Sequence, residues 1–119
     1  MNELAKLFKL MYERRIRGEA RSVADWLCAH IASDNLVAGI NQRQVTVDTG
    51  VTQSNVSKAL SLLEHHGIAL RDGPGKVLLN PRYCFLGKPT RQHYAVKEWD
   101  QKVADRRRAE MVADAEKMA

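Results

Sequence analysis

At 119 residues the chain can form one domain with a hydrophobic core and is too short for two domains of ordinary size. Its formal charge of +5 and its sequence pI near 9.5 suit a nucleic-acid partner, although acidic proteins and membrane surfaces also attract basic chains. No stretch approaches the roughly 18 apolar residues of a membrane helix, and the N-terminus lacks the unbroken apolar region of a signal peptide. We therefore expect a cytoplasmic protein that does not enter membranes.

The first third of the chain predicts two helices and a short extended segment. The first helix should end before Gly18, and its apolar positions, which recur with helical spacing, are Leu4, Leu7, Phe8 and Met11. A second helix at roughly 20–33 has one apolar face, made of Val23, Trp26, Leu27 and Ile31. The polar run 33–35 should end this helix. The extended segment then contains Leu36, Val37 and Ile40.

Residues 41–66 predict a helix-turn-helix, in which two short helices cross and bury their contact positions. These positions are Val45, Gly50, Val51, Val56, Leu60 and Leu63. Gly50 falls between the helices, where a positive φ costs glycine little, and Thr52 can cap the second helix. The side chains left outside are short and polar, with one positive charge: Gln53, Ser54, Asn55, Ser57, Lys58 and Ser61. Such a face suits hydrogen bonding to base edges better than solvation alone.

Residues 67–80 predict a β-hairpin directly after the second helix of this motif. Residues 68–70 form one short apolar strand and residues 77–79 the other. The sequence Asp-Gly-Pro-Gly at 72–75 has the composition of a tight turn, because glycine supplies positive φ and proline fixes its own φ. A hairpin in this place is the wing of a winged helix-turn-helix. Arg71 and Lys76 flank its tip.

The remaining segment, 91–119, predicts a long helix because it contains no glycine or proline. Val96, Trp99 and Val103 begin an apolar stripe that the arginines at 106–108 interrupt. This helix either packs partly on its own domain, which we place at 1–90, or pairs with a second subunit. We favour a homodimer formed by the two terminal helices, since a long amphipathic helix on so small a domain has little core of its own to cover. The overall expectation is a mainly α winged helix-turn-helix with a small β-hairpin and additional N- and C-terminal helices.

The predicted partner is double-stranded DNA, and the contact residues form two groups. The base-reading candidates are Gln53, Ser54, Asn55 and Lys58, with Ser57 placed for a base or a phosphate and Thr52 capping the same helix end. The phosphate-binding candidates are Arg43, Arg71 and Lys76. Segment 41–90 carries six basic and three acidic residues, so much of the positive charge lies on the presumed DNA-binding unit.

Nothing in the sequence predicts catalysis. The chain has no phosphate-cradling glycine-rich loop and no metalloprotease or hydrolase motif. Its two cysteines, Cys28 and Cys84, have no partners at zinc-ligand spacing, and we expect both to be small buried side chains. We therefore expect a protein that is not an enzyme and has no metal ion or cofactor.

The order of elements resembles the RepL family of plasmid replication proteins. The similarity spans roughly residues 5–100 and rests on FKLMYE, on VSKALSLLEHHGIALRDGPGKVLLNPRYCFLGKP and on RQHYAVKEWD. The second wing strand leads directly into Asn80-Pro81, followed by Tyr83, Phe85 and Gly87. The resemblance implies DNA binding in plasmid replication initiation or copy control, and the basic C-terminal tail falls outside it.

Two other functions remain open at this point. The helix-turn-helix and wing alone also resemble many bacterial regulators, including the multiple-antibiotic-resistance repressor superfamily, so a transcriptional repressor would show the same features. A winged helix used only for protein–protein contact is a third reading. The uncharged polar face of the second helix and the local positive charge argue against it.

Overall fold

The computed structural model describes residues 3–32, 35–37 and 41–118, without the side chains of residues 3 and 4. The helices are α1 (Glu3–Glu13), α2 (Gly18–Ala29), α3 (Gln42–Thr49), α4 (Gln53–His65) and α5 (Pro89–Met118). The strands are β1 (Leu36–Val37), β2 (Ala69–Arg71) and β3 (Val77–Leu79). This is the predicted winged helix-turn-helix with an additional helix at each end. No helix in the described part of the chain is both long enough and apolar enough to cross a membrane.

The wing is one edge of a three-stranded antiparallel sheet with the strand order β1-β3-β2. The predicted hairpin forms as expected, with Arg71 opposite Val77. It is closed by a hydrogen bond of 2.9 Å from the Asp72 N–H to the Lys76 carbonyl. The short extended segment before the helix-turn-helix is β1, and its Leu36 pairs with Leu78. The sheet therefore ties the wing to the chain that enters α3.

The core lies where α2 and α4 cross and where the sheet covers them. On α4 the apolar residues recur every three or four positions, which gives the helix a single buried face. The buried residues of that face are Val56, Ala59, Leu60 and Leu63. They pack in one cluster with Leu7 and Met11 of α1, with Val23 and Leu27 of α2, and with Val45 of α3.

The predicted boundaries and faces of the first two helices differ from the structure in detail. Phe8, expected on the buried face of α1, is 47% exposed, and the Arg21 guanidinium lies 5.2 Å from its ring centre. Helix α2 begins at Gly18 and ends at Ala29, whereas the prediction was roughly 20–33, and His30 leaves the helical conformation with φ = −110° and ψ = 12°. The side chain of Leu4, the expected helix end at residues 33–34, and Ile40 lie outside the described residues.

A buried asparagine fastens the segment between the wing and α5. The side chain of Asn35 is 1% exposed, and its amide nitrogen donates to the carbonyls of Leu79 at 2.8 Å and Cys84 at 2.5 Å. Its amide oxygen accepts from the N–H of Leu86 at 3.0 Å. Asn35 also adopts φ = 60°, which asparagine tolerates better than most residues. One side chain thus joins the start of β1 to the end of β3 and to the chain beyond it.

The first half of α5 packs on the domain and the second half does not. Trp99 is 3% exposed, and Arg82 forms two hydrogen bonds of 2.8 and 2.7 Å with the Asp100 carboxylate. This contact lowers the pKa of Asp100. Farther along the helix, Met111 is 70% and Met118 88% exposed. The first half of α5 therefore packs on its own domain, and the second half leaves large apolar side chains exposed.

The residues expected to form a dimer interface need correction. Leu7, Met11 and Trp99 are buried inside the single chain, so they are not available to a second copy. The homodimer expected through the terminal helices rested on six apolar positions, because a helical apolar stripe looks the same whether it covers its own domain or another subunit: Leu4, Leu7, Phe8, Met11, Trp99 and Val103. The exposed large apolar side chains of the terminal helices are instead Phe8 and Tyr12 on α1 and Tyr94, Met111, Val112 and Met118 on α5.

Candidate nucleic-acid interface

The turn between α3 and α4 has the geometry that the helix-turn-helix requires. Gly50 adopts φ = 78° and its N–H donates to the Thr46 carbonyl at 2.8 Å, which ends α3. Val51 is buried in the turn. Thr52 then caps α4, and its hydroxyl oxygen accepts from the Asn55 N–H at 3.4 Å. At the other end of α3, the Asn41 side chain accepts from the Arg43 N–H at 2.9 Å, so Arg43 lies in the first turn of that helix.

The structure places the predicted base-reading residues on one accessible side of α4. Gln53, Ser54 and Lys58 are exposed, whereas Asn55 and Ser57 are half-buried. Within the described ranges, the side chains of Gln53 and Lys58 have no hydrogen-bond partner in the protein, whereas Ser54 meets the Thr52 hydroxyl at 3.4 Å. The polar side chains that the sequence places outside are therefore on the surface of α4, and their role in base reading stays a prediction.

Asn55 has a partner that the sequence did not predict. Its amide nitrogen lies 3.3 Å from each oxygen of the Glu19 carboxylate, and Glu19 is in the first turn of α2. Because a carboxylate can only accept hydrogen bonds, the side-chain amide of Asn55 is oriented with its nitrogen toward Glu19 of α2. The two residues are 36 positions apart, and no local pattern in a single sequence links them. The start of α2 thus borders the recognition face.

The wing side of α4 carries a second cluster, in which Glu64 is shared by two arginines. Its carboxylate accepts from Arg71 at 2.6 Å and from Arg106 of α5 at 3.2 Å. Arg71 also donates to the Ser61 hydroxyl, and Arg106 donates to the Arg71 carbonyl. Arg71, predicted for a phosphate, is therefore anchored at the far end of α4. Its role in phosphate binding stays a prediction.

The tip of the wing lies beside the start of α3. Gln42, Arg71, Gly73 and Lys76 line one shallow concavity together with Leu60 of α4. Lys76 is exposed and pairs with no carboxylate in the part of the chain that the structure describes. The Asp72 carboxylate, which would repel DNA, is paired with Lys102 of α5 at 2.8 Å. The fold therefore brings Arg71 and Lys76 to one concavity beside Gln42, and Arg43 is exposed at the next position of α3.

A thiol and a histidine close to the core have shifted pKa values. The thiols of Cys28 and Cys84 are hydrogen-bonded to each other, and this bond, together with burial, raises the pKa of the Cys28 thiol well above its usual range. Burial and the neighbouring charges of His65 and Arg14 lower the pKa of His66. Among the described residues, no group of three potential ligands could hold a metal ion. Cys84 is buried as predicted, and Cys28 is half-buried.

The element order, the sheet and the turn at Gly50 define a winged helix-turn-helix protein. A model of the family described as Firmicute plasmid replication protein (RepL) matches residues 9–117. The chain belongs to the RepL family. The match includes α5, which we had placed partly outside the resemblance, so the C-terminal helix is part of the family's pattern. No curated protein and no solved structure matches the chain.

Proposed function

We propose that the protein binds specific double-stranded DNA sequences through α4 and acts by this binding in plasmid replication initiation or copy control. The observation that carries the proposal is the accessible polar face at the start of α4, which contains Gln53, Ser54, Asn55 and Lys58. Membership of the RepL family supports the role in replication. Because the plasmid is copied in the cytoplasm, the protein would act there.

The chemistry of this face matches the major groove of DNA. The groove admits an α-helix, and amide side chains such as Gln53 and Asn55 can pair with adenine through two hydrogen bonds. Lys58 can donate to guanine, and a serine hydroxyl can serve either base. The Glu19 carboxylate occupies one proton of the Asn55 amide and leaves the other proton and the oxygen for a base. The Asn55 side chain would thus be oriented by Glu19 before DNA binds.

On the wing side of α4, two carboxylates that would repel DNA are paired with basic side chains, which favours DNA binding there. Without their partners, Glu64 and Asp72 would present negative charge next to the DNA backbone. Arg71 and Arg106 compensate Glu64, and Lys102 compensates Asp72. Lys76 then remains as a positive charge in the concavity between α3 and the wing, and Arg43 is a further exposed positive charge in the first turn of α3. Such phosphate contacts position a protein on the duplex and carry little sequence information.

We further propose that the protein is not an enzyme and uses no cofactor or metal ion. A DNA-binding protein of this kind can act by occupying its site, bending the duplex or recruiting other proteins. A repressor would use the same contacts at a promoter. The distinction therefore has to be made on a replicon and not with purified protein.

A replicon that encodes the Asn55→Ala, Lys58→Ala protein should fail to replicate or change its copy number. Both changes remove polar groups from the proposed base-reading face and leave the buried face of α4 intact. The measurement is plasmid copy number together with the transcript level of the replicon genes. A matched control, Lys97→Ala with Gln101→Ala on α5, removes the same types of side chain and should leave copy number unchanged. Normal maintenance with a derepressed neighbouring promoter would instead identify a transcriptional repressor.

We also propose that two copies pair through the second half of α5. One face of this segment is lined by Asp105, Arg108, Ala109, Val112, Ala113 and Glu116. Its small and apolar centre allows close approach of a second helix. If two copies pair antiparallel about Val112, Arg108 of one meets Glu116 of the partner subunit, because each is four residues from the axis. A two-fold axis repeats this contact, so charge complementarity favours a second copy as the occupant.

Exchanging the two charges tests this pairing. Arg108→Glu and Glu116→Arg should each weaken dimerisation by placing like charges together, and the double variant should restore it. Sedimentation over a range of concentrations measures the effect. The control pair, Arg107→Glu with Glu110→Arg, alters the opposite face of the helix and should have no effect. A full-length protein that remains monomeric, or a double variant that does not recover, would contradict this interface.

A further inference from the structure

A concave surface between the end of α1 and the start of α2 carries unpaired positive charge. It is lined by Met11, Tyr12, Glu13, Arg15, Ile16, Arg17, Gly18 and Arg21. Arg15 and Arg17 are exposed, and neither forms an ion pair within the described ranges. The acidic residue of this surface, Glu13, lies 3.9 Å from Lys9, and Arg21 is paired with Asp25 at 3.3 Å. Two guanidinium groups therefore remain available on this surface.

This surface adjoins the recognition face of α4. Arg17 precedes Glu19 by two residues, so their Cα atoms are at most about 7 Å apart. The Glu19 carboxylate is in direct contact with the Asn55 amide. Arg17 thus lies a short distance from Glu19, which contacts a proposed base-reading residue, and Arg15 lines the same concave surface as Arg17.

The helical geometry of α4 places this surface opposite the wing. Successive residues of an α-helix are rotated by about 100°, so Asn55 and Glu64, nine positions apart, point in opposite directions. Asn55 contacts the start of α2, whereas Glu64 contacts Arg71 at the end of β2, next to the wing tip. Ser54 and Lys58 face outward between these two sides. A helix placed in the major groove would therefore have the wing on one flank and the arginine surface on the other.

We propose that Arg15 and Arg17 bind phosphates of the DNA strand that borders the groove on the side away from the wing. The inference rests on the proposed function and adds to it a second backbone contact from outside the helix-turn-helix. Both edges of the groove are lined by phosphates, and arginine presents a planar fork of donors that matches them. Glu19 is two residues from Arg17, and its contact with Asn55 directs its carboxylate toward the base-reading residue.

The test compares the salt dependence of duplex binding by the full-length protein and by the Arg15→Gln, Arg17→Gln variant. Each lost phosphate contact lowers the slope of log affinity against log salt by about 0.9, so the slope should fall by about 1 to 2. Binding to selected and random duplexes should weaken by the same factor, because phosphate contacts carry little sequence information. The control variant, Lys97→Gln with Arg107→Gln, changes net charge equally and should alter the slope less.

The possible results separate this inference from the proposed function. A slope for the Arg15, Arg17 variant equal to that of the charge-matched control would overturn the inference while leaving DNA binding intact. A loss confined to the selected sequence would also overturn it, because that result indicates base contacts. A wild-type protein that does not bind duplex DNA even at low salt would overturn the proposed function itself. Since both arginines are exposed, thermal unfolding should show that the variant keeps its fold.

Discussion

Replacement of Asn35 by alanine should destabilise the protein by about 3 kcal/mol or more. The buried side chain makes three hydrogen bonds to backbone groups, one at the end of β3 and two in the segment between β3 and α5. Each buried group left without a partner costs about 1–3 kcal/mol. Urea unfolding of the full-length chain measures the change. Because the segment connects the wing to α5, the loss should reach the whole domain and lower the midpoint of a single transition.

Two further variants test whether the lost hydrogen bonds of Asn35 cause this destabilisation. Asn35→Gly accommodates the positive φ of this position but makes no side-chain hydrogen bond, so it should remain strongly destabilised. Gln101→Ala removes an exposed hydrogen bond within α5 and should change stability by less than about 0.5 kcal/mol. If Asn35→Ala cost less than about 1 kcal/mol, the three hydrogen bonds would not be fastening this segment.

The helix-turn-helix and the wing were predictable because their signals are local. Apolar spacing defines the buried face of α4, Gly50 and Thr52 mark the turn, and the run 72–75 marks the hairpin. The role of Asn35 was not predictable from the same reasoning. In the sequence it looks like part of a polar helix end, while its partners lie 44, 49 and 51 positions away. Contacts at such separations leave no pattern in one sequence.

The ion pairs of the charged residues in α5 could not be predicted from the sequence either. In the sequence, the arginines at 106–108 interrupt an apolar stripe and look like a solvated or DNA-binding block. In the structure, Arg106 points back to the domain and pairs with Glu64, whereas Arg107 and Arg108 are exposed. Helical periodicity gives the direction of a side chain around its axis. It does not reveal which distant carboxylate lies there, so the Glu64 cluster had no sequence signal.

The second large expected effect is on DNA binding. Asn55→Ala should weaken binding to the preferred sequence, whereas Lys76→Ala should weaken binding to every duplex. Asn55 is oriented by Glu19 at the proposed base-reading face, so its loss should cost about 1–3 kcal/mol on the preferred site and relax one base position. Lys76 is exposed at the wing tip and is proposed to contact a phosphate. Its loss should weaken binding to all duplexes by a similar factor and lower the salt slope by about 1.

Selection of bound fragments from random duplex DNA tests the central claim most directly. The wild-type protein and the two variants are each used for selection, and the recovered sequences are then titrated against a scrambled duplex. We predict one preferred motif for the wild type, the same motif for Lys76→Ala, and a motif degenerate at one position for Asn55→Ala. Recovery of no motif by the wild-type protein, or equal affinity for the selected and scrambled duplexes, would contradict sequence-specific DNA binding through α4.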